Sequence, residues 1–393
     1  MLAATVRVTR DLDAAEEAVQ DAYVQALRTW GRDGVPDRPG AWLTTVARRI
    51  ALNLVRRGQA LAGKLPLLLE SEDTEMPEFD AATIPDDRLR LIFICCHPAL
   101  HREAQIALTL RLVCGVATPD IAQAFLVAEA TMAARLTRAK KKIAAARIPY
   151  AVPSAAELPE RVDAVLSVIH LLYATGHTAH SGKLLVRDEL TGRALDLARL
   201  LRLLLPAERE AAGLLALLLV HHARRATRTD AQGRLVRLEQ QDRSAWDADL
   251  IAEADRLVVA ALRAGPPGRF TLQAAIAALH GQAPSYAETD WPQILTLYDE
   301  LLRVWPSPVV ALNRAVAVSM VDGPAAALVE VEMLERDGRL AGYRYLPATK
   351  ADLLHRLGRY REAVEAYQAA LVLSDNAAEH EFLADRVRSA LTS

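Results

Sequence analysis

The sequence has few cysteines and no long apolar run, which are the features typical of secreted and membrane proteins. It contains three cysteines, Cys95, Cys96 and Cys114. Three cannot all pair, and a bridge between the adjacent Cys95 and Cys96 would be strained, so a reducing cytoplasm is the simplest setting. No signal peptide is recognisable, and the longest apolar run, Ala211 to Val220, is far too short to cross a bilayer. We therefore expect a cytoplasmic protein without a disulfide framework or membrane span.

Strand-like alternation of Val and Ile is also scarce, whereas Ala, Leu, Arg and Glu dominate and favour helix. Hydrophobic residues make up 52% of the chain, and with 18 Gly and 19 Pro most of it is expected to fold. A chain of 393 residues is too long for one ordinary core. The sequence therefore predicts an all-α protein of about two to four domains.

The net charge of −2 conceals blocks of like charge. Residues 38–64 hold six cations and no acid, residues 70–87 hold eight acids and no cation, and residues 135–142 hold five cations. Such blocks mark interaction surfaces or tethers. Residues 59–85 end in acidic sequence with little periodicity, which predicts a linker between two helical domains.

Two amphipathic helices are predicted before this linker. In the first, Asp11 to Trp30, the recurring apolar positions are Ala15, Val19, Ala22, Tyr23, Ala26, Leu27 and Trp30. Acids in its first turns suit the positive end of the helix dipole. Gly31 to Gly40 is predicted to be a loop. The second helix, Pro39 to Arg57, carries polar residues away from its apolar stripe, and these are equally consistent with DNA contact or simple solvation: Arg48, Arg49, Asn53, Arg56 and Arg57.

Residues 115–143 predict a helix, a tight turn at Leu126 to Ala128, and a second helix. Thr118 is a suitable N-cap and Pro119 suits the first helical position. In the second helix, one face is apolar, with Met132, Leu136, Ala139 and Ile143. The other combines small and cationic residues, Thr131, Ala134, Arg135 and Arg138, followed by Lys140, Lys141 and Lys142. Arginine can bind guanine through two hydrogen bonds and lysine suits phosphate, so this pattern favours DNA binding over a solvated basic helix.

The end of the chain contains a repeat. Gly323 and Gly358 are 35 residues apart and occupy like positions between predicted helices. The segment LHRLGRYREAVEAYQAAL matches the second half of a tetratricopeptide unit, and LYDELLRVWPSP fits the end of an earlier one. This part is therefore expected to be a stack of helical hairpins.

Candidate metal ligands are better explained in other ways. His177, His180, His221 and His222 could meet across a hairpin, but histidines at helix ends are more often just polar residues. Cys95 and Cys96 lie in an apolar segment that predicts core. The sequence has no phosphate loop, dinucleotide fingerprint, nucleophile elbow or zinc-protease motif. We predict no cofactor, no metal site and no catalytic residue.

The first 150 residues resemble an extracytoplasmic-function (ECF) sigma factor of bacterial RNA polymerase. DLDAAEEAVQDAYVQALRTW resembles the region-two helix that docks on the polymerase clamp, and PGAWLTTVARRIALNLVRR the helix that melts and reads the minus-ten element. TPDIAQAFLVAEATMAARLTRAKKKI resembles the region-four helix-turn-helix that reads the minus-thirty-five element. LRLIFICCHPAL, DAQGRLVRLEQQDRSAWD and SPVVALNRAVAV resemble the subgroup with a large helical, tetratricopeptide-like C-terminal extension.

The resemblance implies roles for the matched positions. Those that would bind core polymerase are Asp11, Asp13, Glu16, Glu17, Gln20 and Asp21. Those that would bind promoter DNA are Arg48, Arg49, Asn53, Arg56, Arg57, Thr131, Ala134, Arg135, Arg138, Lys140, Lys141 and Lys142. The loop Gly31 to Gly40 stands where relatives hold a flipped-out promoter base, a state that needs a pocket for an unstacked base. Relatives have a longer helix before the position of Asp11, whereas ten residues precede it here, so either the true start lies upstream or the first helix of region two is short.

We therefore predict region two at residues 1–58, the linker at 59–85, region four at 86–150, a helical extension at 159–290 and tetratricopeptide-like repeats at 291–393. The predicted partners are core RNA polymerase and promoter DNA, with no membrane. The C-terminal domain is expected to contact the sigma domains and to regulate or brace them. The alternatives are a ligand-responsive helix-turn-helix regulator and a tetratricopeptide scaffold. The first would not need the acidic helix or the second basic block, and the second leaves residues 1–150 unexplained.

Overall fold

The computed structural model describes residues 1–62, 87–113, 115–125, 127–146, 148, 157–178, 181–182 and 185–392. Regular structure in this part of the chain is almost all helical, so the all-α prediction is confirmed. Two short strands, Ser181–Gly182 (β1) and Asp375–Asn376 (β2), pair in parallel. Cys114, His180 and most of the predicted linker lie outside the described residues, whereas residues 59–62 continue a helix. None of the described helices has both the length and the apolar character that crossing a membrane requires.

The chain divides into two compact units. The first contains Met1–Ile121 and Glu129–Val168, and the second contains Ala122–Ala128 and Ile169–Ser393. The turn of the predicted helix-turn-helix therefore groups with the C-terminal helices.

Three helices begin the first unit: α1 (Leu2–Thr9), α2 (Leu12–Asp33) and α3 (Pro39–Ala62). Asp11 caps α2, since its carboxylate accepts the Ala14 N–H at 2.8 Å. The buried face of α2 is mostly alanine, which lets α3 approach closely, and the rings of Trp30 and Trp42 close the far end with centroids 5.5 Å apart. The predicted loop Gly31 to Gly40 is shorter in the structure: α2 continues to Asp33 and α3 begins at Pro39.

Five more helices follow: α4 (Asp87–Cys95), α5 (Arg102–Leu112), α6 (Thr118–Ala124), α7 (Glu129–Ala145) and α8 (Leu158–His177). Cys95 and Cys96 are buried and unbridged, as the apolar segment predicts, and burial raises the pKa of Cys96 to about 12. The Gln105 amide donates to the carbonyls of His97 at 2.7 Å and Leu100 at 3.2 Å, which holds the turn between α4 and α5. Buried Arg161, near the start of α8, donates to the Phe93 carbonyl at 3.0 Å.

The second unit continues with α9 (Asp188–Leu204), α10 (Arg209–Ala223), α11 (Ala248–Arg263), α12 (Arg269–Gln282), α13 (Trp291–Val304), α14 (Pro308–Val321), α15 (Pro324–Asp337), α16 (Tyr345–Arg356), α17 (Tyr360–Val372) and α18 (Ala377–Thr392). Helix α10 is buried along nearly its whole length between α11 and α12. Three short 3-10 turns lie between α10 and α11.

From α13 to α18 each helix packs against the next. Gly323 lies between α14 and α15 with φ 91°, and Gly358 between α16 and α17 with φ 72°. Both turns thus use the left-handed region that favours glycine, in equivalent places. Tyr367, one of the repeat-motif residues, is buried in the core of these helices.

Candidate polymerase and nucleic-acid interfaces

The acidic residues of α2 lie mostly at its surface. Asp11, Asp13, Glu17, Gln20 and Asp21 are exposed, and Glu16 is half-buried. The acidic residues lie outside because Ala15, Ala18 and Ala22 occupy the inner face of the helix. The structure thus places five of the six predicted polymerase-binding residues in solvent on one helix.

An exposed apolar strip lies beside this acidic surface. The sequence pattern wrongly predicted that two of its residues belong to the buried face of α2. Tyr23 and Leu27, which we expected in the apolar face of α2, are 51% and 82% exposed, and Val24 is also exposed. Gln20, Tyr23, Val24 and Leu27 follow one another at helical spacing, so they share a side of the helix. The expectation failed because the buried face of α2 is mostly alanine, so the close α2–α3 contact leaves Tyr23 and Leu27 outside. Exposed apolar side chains beside acids are typical of a protein-binding surface.

The polar residues of α3 are also exposed. Arg48, Arg49, Asn53, Arg56 and Arg57 lie on the outside of the helix, while Leu43, Ala47 and Ala51 are buried. Leu52, which lies among them, is 45% exposed. The helix thus offers a cationic surface with one apolar side chain in it, and that composition suits a nucleic-acid strand with exposed bases.

Helix α7 has the predicted two-faced character. Met132, Leu136, Ala139 and Ile143 are buried, whereas Thr131, Ala134, Arg138, Lys141 and Lys142 are exposed. On α6, Ile121 and Ala122 are buried, and Phe125, just after the helix, is half-buried. The inner stripe fixes the rotation of α7 and so points its cationic face outward.

Two cations of α7 are engaged within the protein. Arg135 Nη1 lies 2.7 Å from Glu103 Oε2. The Lys140 ammonium pairs with Glu16 and lies 3.4 Å from Asp13 Oδ1. A residue predicted to bind DNA is therefore paired with two predicted to bind polymerase.

A cleft of about 320 Å³ separates the start of α5 from α7. Arg135, Arg138 and Lys142 line it together with Glu103. The single carboxylate leaves this cleft with a cationic lining, which an anionic backbone would complement.

The histidines form a buried polar cluster in the second unit. The rings of His177 and His221 lie 5.1 Å apart, and His177 stacks on Tyr173 at 5.5 Å. Burial lowers the pKa of both histidines well below its usual value, and nearby Arg224 and Arg228 lower it further. His221 Nδ1 is 3.1 Å from Arg224 Nη2. Cationic neighbours of this kind oppose a further positive ion.

Comparison with known families gives three matches along the chain. Sigma-70 region 2 matches residues 2–60, and Sigma-70, region 4 matches residues 90–143. A family of unknown function (DUF6596) matches residues 161–262. The order of these matches, together with the exposed acidic, apolar and basic faces, identifies the chain as a promoter-recognition factor of RNA polymerase.

The chain belongs to the sigma-70 family, as an ECF-like sigma factor with a C-terminal extension. An uncharacterised protein of Rhizobium meliloti (strain 1021) is 46% identical over 388 residues, which cover 97% of this chain and 91% of that protein. Regions 2 and 4 are the parts of such factors that contact core RNA polymerase and promoter DNA, and sigma-factor families are not enzymes.

Proposed function

We propose that the predicted domains and residues carry out separate parts of the sigma-factor function. Region two would occupy residues 1–58 and dock on core polymerase through Asp11, Asp13, Glu16, Glu17, Gln20 and Asp21. The exposed apolar strip of α2 would extend that surface. Region four would occupy residues 86–150, followed by a helical extension at 159–290 and tetratricopeptide-like repeats at 291–393.

Promoter recognition would use two helices. In α3, Arg48, Arg49, Asn53, Arg56 and Arg57 would contact the minus-ten element. In α7, Thr131, Ala134, Arg135 and Arg138 would face the major groove at the minus-thirty-five element, with Lys140, Lys141 and Lys142 near phosphates. The exposed basic face of α7, opposite its fully buried apolar stripe, carries this proposal.

The ion pairs of Lys140 with Asp13 and Glu16 have a consequence for this assignment. The same groups cannot serve polymerase, DNA and each other at once, so binding to either partner would have to release them. The conformation that contains these ion pairs would then be that of the free factor. The protein itself would catalyse no reaction and would act in the cytoplasm, where polymerase is found.

We further propose that the C-terminal extension braces the sigma domains. Two observations support this. The helix-turn-helix turn, Ala122–Ala128, groups with the C-terminal helices, and Gln123 Nε2 donates to Asp375 Oδ2 at 3.4 Å. The connector Ala151 to Pro159 is short and contains Pro153 and Pro159, which suits a fixed relation better than a release switch.

Run-off transcription with core RNA polymerase tests the proposal. The full chain added to core enzyme should yield a discrete transcript from a promoter selected from random sequence. A ligand-responsive regulator would instead bind DNA without polymerase and give no transcript with core enzyme alone. No transcript from any selected sequence, with a folded protein, would count against the sigma assignment.

A further inference from the structure

A cavity of about 310 Å³ lies among the C-terminal helices of the second unit. Leu235 and Arg237, from the segment that joins α10 and α11, form one wall, and α14, α16, α17 and α18 form the others. Its apolar side chains include Val316, Phe382 and Leu383. The volume is at the lower end of the range of about 300–1,000 Å³ for small-molecule sites.

At one end of the cavity two arginines share the carboxylate of Asp352, which is the only acid that the described residues contribute to the lining there. Asp352 Oδ1 lies 3.4 Å from Arg237 Nη2 and 3.3 Å from Arg386 Nη2. Both distances exceed the roughly 2.7–2.9 Å of a strong charge-assisted hydrogen bond. Arg237 also lies 3.2 Å from Glu239, and Arg386 Nε donates to the Tyr367 hydroxyl at 3.1 Å. The guanidinium groups thus retain donor capacity that a second carboxylate could use.

The other charged pair in the lining is already satisfied. Arg344 and Glu379 are 9% and 7% exposed, and Arg344 Nε lies 2.7 Å from Glu379 Oε2. The Tyr345 hydroxyl donates to Glu379 Oε1 at 2.6 Å. Asn376, fully buried, accepts the N–H groups of Ala378 at 3.0 Å and Glu379 at 3.3 Å, which fixes the start of α18. This part of the wall is therefore fixed and neutral, so the donors available to an anion are those of Arg237 and Arg386.

We propose that this cavity binds a small amphipathic carboxylic acid. The carboxylate would lie between Arg237 and Arg386, and the apolar body would contact Leu235, Val316 and Phe382. Two arginines that can each donate paired N–H groups match the planar carboxylate, and the apolar walls reward burial of the remainder. The bound acid would link the α10–α11 segment to α18, so the extension would supply a ligand site to a chain that also has two sigma domains.

Calorimetric titration of the full chain with octanoate tests the proposal, with octanamide as the neutral ligand of the same shape. Octanoate should bind saturably and raise Tm, and octanamide should bind at least about tenfold more weakly, a factor that corresponds to about 1.4 kcal/mol. Arg237→Met and Arg386→Met should each weaken octanoate binding by a similar factor. Ala348→Leu, which fills the cavity without touching charge, should weaken both ligands.

Arg388→Met is the matched control, because Arg388 lies on the same helix, is exposed and pairs with Asp385 outside the cavity. It should leave octanoate binding unchanged. Equal binding of octanoate and octanamide, or unchanged binding in both Arg237→Met and Arg386→Met, would overturn the proposal. So would the absence of saturable octanoate binding, or tighter binding of inorganic phosphate, which would indicate a simple anion site. If Arg386→Met lowers the Tm of the free protein strongly, Arg237→Met and Ala348→Leu still decide the question.

Discussion

Single residues on α7 differ in how freely they can reach DNA. Arg138 is exposed, and its Nε is engaged only weakly, at 3.3 Å from the Ala134 carbonyl of its own helix. Arg135 is partly buried beside α5, where Glu103 holds its guanidinium. The two arginines are equivalent by sequence spacing, but an ion pair must first be broken before Arg135 can contact a base.

Arg138→Ala should therefore impair minus-thirty-five recognition more than Arg135→Ala. A bidentate guanine contact contributes roughly 1–3 kcal/mol, so the preference of the Arg138 variant for its best sequence should fall by that amount. Profiling both variants on a library of promoter mutants measures it. Lys141→Ala is the control, since loss of a phosphate contact should weaken binding evenly across sequences and lower the salt slope by about 1. Unchanged preference in both arginine variants would refute the proposed orientation of α7.

Which side chains of a helix are exposed depends in this protein on which other helices pack against it. Helix α2 buries alanines against α3 and so leaves its acids, together with Tyr23 and Leu27, in solvent. Helix α10 is buried on all sides, and the Glu210 carboxylate at its start accepts the N–H groups of Phe270 at 2.7 Å and Thr271 at 3.2 Å. That contact caps α12 and fixes its position on α10.

The outer face of α2 is the first test at this scale. Charge reversal by Glu17→Lys and Asp21→Lys should reduce binding to core polymerase, and Leu27→Ser should do so without any change of charge. Helical circular dichroism should be unaltered, because exposed substitutions usually change stability by less than about 0.5 kcal/mol. Asp33→Lys, at the far end of the same helix, should leave binding intact. Undiminished co-purification of all three α2-face variants with core enzyme would contradict the assignment.

The contact between α10 and α12 provides a second test at the scale of the helices. A Cβ at Gly213 would lie 2.6 Å from the backbone nitrogen of Thr271, so Gly213→Ala must push the helices apart. We expect a loss of about 1–3 kcal/mol in the free energy of unfolding. Gly192→Ala, in α9 with open space around it, should be neutral or stabilise by up to about 1 kcal/mol because alanine favours helix. Denaturant titration of both variants measures the difference, and equal effects would show that the α10–α12 packing is wrong.

At the scale of the whole molecule, two segments of the chain depart from a simple division into sigma domains followed by an extension. The turn Ala122–Ala128 groups with the C-terminal helices, and α8 begins in the first unit and ends in the second. Arg161, in the first part of α8, is buried and bound to the Phe93 carbonyl. A cut before α8 would therefore damage the first unit itself.

A chain ending at Val168 is the cleaner comparison with the full chain. If the extension braces the sigma domains, this shorter chain should fold and yet lose most transcription from residues 1–168. An increase would instead indicate autoinhibition. Circular dichroism and polymerase binding of the shorter chain are the controls. Equal transcription by both chains, at matched concentration and salt, would eliminate bracing and autoinhibition alike.

The sequence alone determined the helical class, the two-faced character of α7 and the sigma-family motifs. These depend on residues close together in the chain, where a repeat of 3.6 residues, a charge block or a turn glycine such as Gly358 acts locally. Tertiary structure decided what depends on distant residues. It exposed Tyr23 and Leu27, because the face of α2 that packs on α3 is mostly alanine. It paired Lys140 with Glu16 across 124 positions. It also brought Arg237 and Arg386 to one carboxylate, a juxtaposition that no local periodicity encodes because the two lie on segments that meet only when the helices pack.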